Sequence, residues 1–334
     1  SSWRPPARRF DPSAIIGGNL PYIGGNSYVG QSDIIVCEAC EYVDTFLQLT
    51  PAISVILNID ADHLDYFKNL ENIKRSFHRF ACQTSRLLVV NGDDANTLEA
   101  IKGVPLETIR YGFNQSNDYY AANLTVSHGA VQHFDLMHKG EKLTSVTLNI
   151  PGKHNVLNAL AAACVALLLG DSPRAVAENL EKFTGVHRRF EILGKPCGIT
   201  IADDFAHHPT ELTATLNAAM SMGFARVWAV FQPHTYSRTA LLLDDFAKAL
   251  SIPDKTVISE ILAVREENTY NIYAKDLSQK VPGSVWFKTF EEITEYICKN
   301  AQSGDLVLTL GGGNVYMCAN MIFKALTAKE FSEE

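Results

Sequence analysis

Acidic, basic and imidazole groups crowd one stretch of this chain, Gly185 to Leu212, which reads GVHRRFEILGKPCGITIADDFAHHPTEL. Guanidinium groups (Arg188, Arg189), carboxylates (Asp203, Asp204) and imidazoles (His207, His208) are the types that contact phosphate, ribose or a metal ion. Arg189 suits a bidentate contact with phosphate, the alternative being a surface ion pair. Asp204 suits a ribose or a cation, or simply caps the helix that opens near Pro209. Farther on, Gln232-Pro-His234-Thr-Tyr-Ser-Arg238 follows an apolar run, and His234 with Arg238 could hold a carboxylate. In the first half Glu38 and His63 each follow a β-type run. A carboxylate and a neutral imidazole are acceptable Mg²⁺ ligands where phosphate oxygens and water complete the shell. Asn155 and Asn158 share a helix face near its N-terminus, an amide pair that suits a nucleotide base or plain capping.

The elements that must position these groups follow from periodicity and turn residues. Strands are expected at Asp33 to Cys37, Ile53 to Ile59 and Leu87 to Val90, with a helix from about Leu70 to Cys82. Residues 104–150 alternate short β-type runs, such as Ala130 to Met137 and Thr144 to Ile150, with polar turns, and predict an antiparallel excursion. A helix that is apolar nearly all round (Ala159 to Leu169) must be buried, and Pro173 to Phe183 forms another. Beyond Gly198, strands at 199–202, 227–231, 256–259 and 306–310 alternate with helices at 208–222, 239–250 and 314–327. That alternation means a parallel sheet covered on both faces. Its strand tips carry Asp203-Asp204, Gln232 to Arg238 and Gly311-Gly-Gly-Asn314, so charged or glycine-rich loops gather at one edge. In open α/β sheets, ligands bind at that edge.

The 334 residues suffice for two domains with proper cores, and the formal net charge of −8 argues against nucleic acid as a partner. No apolar run reaches the roughly 18 residues that a membrane span needs. No signal-peptide pattern is present, so the cytoplasm is the expected location. The seven cysteines give no disulfide framework. Cys37 and Cys40 have CxxC spacing but no second pair, and are read as buried thiols. Gly311-Gly-Gly313 is no dinucleotide fingerprint, because the third glycine would fall on Tyr316. Gly152-Lys153 opens no phosphate-binding loop, since Thr147 stands where its first glycine should be, and GxxxxGK[ST] occurs nowhere in these residues.

Six ordered strings, CEACEYVDTFL, NIDADHLDYF, GKHNVLNALAA, GVHRRFE, DDFAHHPTEL and FQPHTYSRT, make the chain resemble the Mur ligases from about Asp11 to Thr327. FQPHTYSRT points to the branch that joins L-alanine to UDP-N-acetylmuramate in peptidoglycan synthesis. The murein tripeptide recycling ligase, which shares a DDFAHHPT-like string, is the alternative within the family. The resemblance implies an α/β protein with an incomplete central ATPase domain at 11–187 and a C-terminal Rossmann-like, parallel-sheet, amino-acid-binding domain at 188–334, after an atypical leader at 1–10. It implies ATP and Mg²⁺ as cofactors, an acyl phosphate intermediate, and UDP-N-acetylmuramate and L-alanine as small-molecule partners. By motif, Glu38 and His63 are the metal ligands. Asn155, Asn158, Arg189 and Asp204 lie at the nucleotide. His207, His234 and Arg238 lie on the substrate side, with Arg189, Asp204 and His207 the catalytic set. Many relatives place a carbamylated lysine after the DHLD segment; the neighbourhood here is Lys74 to Phe80, the register puts His78 near that position, and no such lysine is assigned.

The family's GTHGKT-type loop and the UDP-binding domain that precede DPSAIIGGN have no counterpart in the sequence, where SSWRPPARRF stands instead. The expectation is a truncated ligase with little or no activity on its own, or a non-catalytic remnant. Exposed sheet edge in its first domain is expected to favour self-association.

Overall fold

The computed structural model describes residues 10–127 and 131–333. Most of the leader read at 1–10, and Ala130 at the head of an expected strand, lie outside the described residues. Two compact units result, one from residues 10–127, 131–150 and 154–187, the other from 188–333 with the stretch 151–153.

The first unit opens with a three-stranded sheet, β1 (Ser13–Leu20), β2 (Gly25–Tyr28) and β3 (Ile35–Cys37), in the order β2-β1-β3. Then come β4 (Ile53–Ile56), α1 (Leu64–Phe67), α2 (Leu70–Gln83), β5 (Leu87–Asn91), α3 (Ala95–Ala100), β6 (Glu107–Gly112), β7 (Tyr119–Val126), β8 (Gln132–His138), β9 (Glu141–Leu148), α4 (Lys153–Leu168) and α5 (Pro173–Glu181). Strands β4 to β9 form one sheet in sequence order. Alternation along β5 explains its two covered faces. Leu88 and Val90 pack with Ile73 and Ala81 of α2, while Val89 joins Leu160 and Cys164 of α4. Asn69 starts α2 by accepting from Asn72 N at 3.0 Å.

The second unit contains β10 (Glu191–Gly194), β11 (Thr200–Asp204), α6 (Pro209–Met220), β12 (Val227–Phe231), α7 (Tyr236–Leu241), α8 (Leu243–Leu250), β13 (Lys255–Ile258), α9 (Ala274–Lys280), β14 (Val285–Trp286), α10 (Phe290–Asn300), β15 (Leu306–Leu310) and α11 (Tyr316–Glu333). Its sheet runs β10-β11-β15-β12-β13-β14, parallel except for β10. Phe231, Leu306 and Leu308 face a core with Leu212, Leu216 and Phe246. Val230 and Val307 face the opposite core with Ile293, Ile297 and Ile322. Strand order departs from chain order at β11-β15-β12, with Asp204 level with Leu310 and Leu310 level with Phe231. The carboxyl ends of three neighbouring strands therefore share one edge, where loops diverge and leave room for a ligand.

Several expectations change. The strand expected at 53–59 ends at Ile56. The excursion at 104–150 is antiparallel only from β7 onward, since β6 and the start of β7 pair in parallel with their predecessors. The helix expected at 239–250 breaks at Leu242 into α7 and α8. Both Asp203 and Asp204 belong to β11 and are buried, rather than following it. Cys37 and Cys40 are exposed, not buried, because Cys37 ends the short β3, whose three residues are all open to solvent.

Candidate functional site

At the carboxyl edge of the second unit the organising side chain is Arg188. Its Nε donates to Asp203 Oδ2 at 2.9 Å, Nη1 to the Gly313 carbonyl at 2.9 Å and Nη2 to the Gly311 carbonyl at 2.7 Å. The guanidinium carbon lies 4.9 Å from the ring centres of both Phe205 and Tyr316. Asp203 takes its remaining bond from Thr309 Oγ1 at 2.5 Å. One planar fork thus ties the tip of β11, the loop after β15 and the segment entering β10.

Asp204 points inward. Its Oδ2 accepts from Phe190 N at 2.7 Å and its Oδ1 from Ala206 N at 2.8 Å. Burial pushes its carboxyl up to about 6, with the two backbone donors and the nearby Arg189 charge opposing that shift. It does not cap α6. His208 does, accepting from Thr210 N, and Glu211 completes a capping box. Arg189 is exposed, its guanidinium carbon 5.6 Å from the Phe205 ring centre.

Glu211 Oε2 also accepts from His207 N at 3.0 Å and lies 3.4 Å from His207 Nδ1. The Phe205 carbonyl stands 3.0 Å from that same nitrogen, so in the neutral ring the proton sits on Nδ1. The ring of His207 meets that of His234 edge to face, centroids 5.6 Å apart. A Cβ on Gly312 would lie 3.1 Å from the His207 ring, a tight contact that the ring would have to yield to by a few tenths of an ångström. His234 Nδ1 is 3.3 Å from Arg238 Nη1. Between them Thr235 has φ +66°, a costly conformation for a β-branched residue, and its Oγ1 accepts from Arg238 N at 3.4 Å to start α7. Gln232 Nε2 donates to Asn314 Oδ1 at 2.9 Å and joins two strand tips. The arrangement offers two imidazoles and guanidinium groups around a glycine-rich rim, which suits an anionic ligand with a transferable proton.

In the first unit Glu38, just past β3, turns its carboxylate onto Gly17 N. His63 takes φ +51° ahead of α1, and its Nε2 lies 3.5 Å from Glu41 Oε1 and 3.8 Å from Asp62 Oδ2. Its ring centre is 4.5 Å from that of Tyr42. Among the described residues no group of three or more His, Cys, Asp or Glu is arranged to hold a metal ion. Asn158 Nδ2 donates to Asn155 Oδ1 at 3.3 Å on the first turns of α4. Lys74 of α2 is engaged by Glu99 at 2.7 Å and Glu71 at 3.1 Å.

The sequence assigns no site role to Glu211 or Gln232, and it places Arg188 only among the groups able to contact phosphate or a metal, not as the tie between strand tip and loops. Arg188 takes φ +60°, which turns its side chain under the loops, and nothing in the residue types announces that angle.

Comparison with known proteins identifies the family. Residues 25–166 match the Mur ligase middle domain and residues 188–313 the Mur ligase glutamate ligase domain, and the chain belongs to the Mur ligase family. Within it, the chain is similar to the UDP-N-acetylmuramate--L-alanine ligases. It is 45% identical over 313 residues to that of Caldanaerobacter subterraneus subsp. tengcongensis, covering 92% of this chain and 68% of the relative. It is 44% identical to that of Clostridium botulinum, covering 93% and 69%. The crystal structure of UDP-N-acetylmuramate-alanine ligase from Thermotoga maritima superposes with a TM-score of 0.79 at 25% identity, covering 96% of this chain and 70% of that one. A murein peptide ligase from Psychrobacter arcticus shares the fold, with a TM-score of 0.66 at 24% identity.

Proposed function

We propose that this chain carries the nucleotide-facing and amino-acid-facing parts of an ATP-dependent ligase that joins L-alanine to UDP-N-acetylmuramate in peptidoglycan precursor synthesis. The observation that carries the reading is the shared edge of β11, β15 and β12, where DDFAHHPTEL, the glycine loop and FQPHTYSRT meet in a chain 45% identical to such a ligase. The domain reading remains 11–187 for the central ATP-binding part and 188–334 for the amino-acid-binding part. No helix of the described residues is long and apolar enough to cross a membrane. We place the enzyme in the cytoplasm, where its nucleotide substrates are.

ATP supplies the phosphoryl group that activates the muramoyl carboxylate as an acyl phosphate, and the amine of L-alanine then displaces phosphate. Glu38 and His63 offer the hard oxygen and neutral nitrogen that a divalent cation accepts while water and phosphate oxygens fill its other positions. Asn155 and Asn158 present amides to the nucleotide, and the exposed Arg189 offers its fork to phosphate. Arg238 holds the alanine carboxylate. His234 and His207 line the path of the incoming amine, which must lose a proton as it attacks. Asp204 fixes the backbone on which Arg189 sits.

The test uses a chimera in which the N-terminal third of the Caldanaerobacter ligase precedes residues 11–334. With Mg-ATP and UDP-N-acetylmuramate it is expected to turn over L-alanine and to ignore the murein tripeptide as amine donor. Preference for a tripeptide would instead assign the chain to the recycling branch.

A further inference from the structure

We propose that His78 and Cys82 form a reactive imidazole–thiol pair on α2, a modification site that takes up small disulfides. The inference is independent of the ligase reading. The two residues stand one helical turn apart on the same face. His78 Nδ1 lies 2.7 Å from the carbonyl oxygen of Ala100, the last residue of α3. A carbonyl only accepts, so Nδ1 carries the proton of the neutral ring and Nε2 is an acceptor. That Nε2 lies 3.6 Å from Cys82 Sγ, within reach of the S–H donor. The partner helix thus fixes the tautomer that can take the thiol proton.

The sulfur is exposed and the imidazole half-buried, so an electrophile can reach the nucleophile while the base is held in place. Other cysteines lack this combination. Cys164 and Cys318 are buried, and burial pushes the Cys318 thiol up to about 12 and that of Cys164 higher still. Cys37 is exposed, but its sulfur faces the Glu38 carbonyl, which cannot accept a proton from it for good. Two donors do not make a metal centre, and the chemistry left is nucleophilic.

The step balances without an external redox partner other than the disulfide itself. The Cys82 proton passes to His78 Nε2, the thiolate attacks one sulfur of R–S–S–R, that S–S bond breaks, and a Cys82–S–S–R bond forms. The departing RS⁻ takes up the proton. One sulfur of the reagent is reduced and Cys82 is oxidised.

The experiment treats the full 334-residue chain with oxidised glutathione at neutral pH and follows each cysteine by mass spectrometry. Cys82 is expected to form its adduct at least about tenfold faster than Cys37. His78→Gln should slow Cys82 by about tenfold or more and leave Cys37 unchanged. A Cys82 rate no higher than that of Cys37 in the parent overturns the proposal, and this comparison stands even if the variant does not fold. An unchanged Cys82 rate in a folded His78→Gln protein overturns it equally.

Discussion

Asp204 holds its position through two short backbone bonds, yet burial makes its charged form costly, and its carboxyl rises from the ordinary 3.8 to about 6. The native state therefore binds a proton more readily than the unfolded chain across that window. Stability from this residue is greatest below pH 3.8, declines as pH rises toward 6, and is constant beyond it. The shift corresponds to a contribution on the order of a few kcal/mol. Denaturant unfolding of the parent and of Asp204→Asn, measured from pH 4 to 7, should show the parent losing stability relative to the variant as pH rises. A difference that does not change with pH would show that Asp204 titrates as it does in the unfolded chain. The adjacent Asp203 has a different environment, since Arg188 neutralises it directly. Two neighbouring aspartates thus differ because alternate strand positions face different surroundings, and sequence types alone could not tell which of them Arg188 would claim.

At the scale of elements, Arg188 links the glycine loop after β15 to β11. Arg188→Ala leaves the Asp203 side chain, only 2% exposed, without its cation, and releases two carbonyls of the loop. Breaking such a pair costs about 3–5 kcal/mol. Trp228, buried in this unit, reports the loss as an earlier fluorescence transition. Arg188→Lys should recover only part of it, because an ammonium cannot reproduce the fork. Equal stability of parent and Arg188→Ala would mean that the loop is held otherwise. Here also lies the limit of what was legible. Strands Val227–Phe231 and Leu306–Leu310 were readable to their last residues, because a central parallel strand is apolar on both faces. Helix α10 went unread although Thr289 and Glu292 form a capping box at its start. The two-residue β14 has too few positions to show a period. The site's residue types were visible in the sequence. The φ values that aim Arg188 and Thr235 were not, because they reflect tertiary contacts rather than local preference.

For the whole molecule, the first unit leaves Ile35 61% and Val36 52% exposed on β3, with Val55 and Leu57 open at the β4 edge of its sheet. Apolar side chains along an unpaired strand edge favour association with another surface. Sedimentation of the 334-residue chain should show self-association that increases with concentration and weakens in Ile35→Lys/Val36→Glu. A monodisperse monomer at high concentration would contradict this. The chain spans 68% of an L-alanine-adding relative, and its 334 residues hold no GxxxxGK[ST] loop to cradle phosphate, so ADP release is the deciding measurement. Mg-ATP, UDP-N-acetylmuramate and L-alanine would be supplied to the 334-residue chain and, in parallel, to the Caldanaerobacter chimera. Alanine-dependent release is expected from the chimera, and little or none from the chain alone. Equal turnover by both would mean that the 334 residues hold ATP without such a loop, through groups other than Asn155, Asn158 and Arg189.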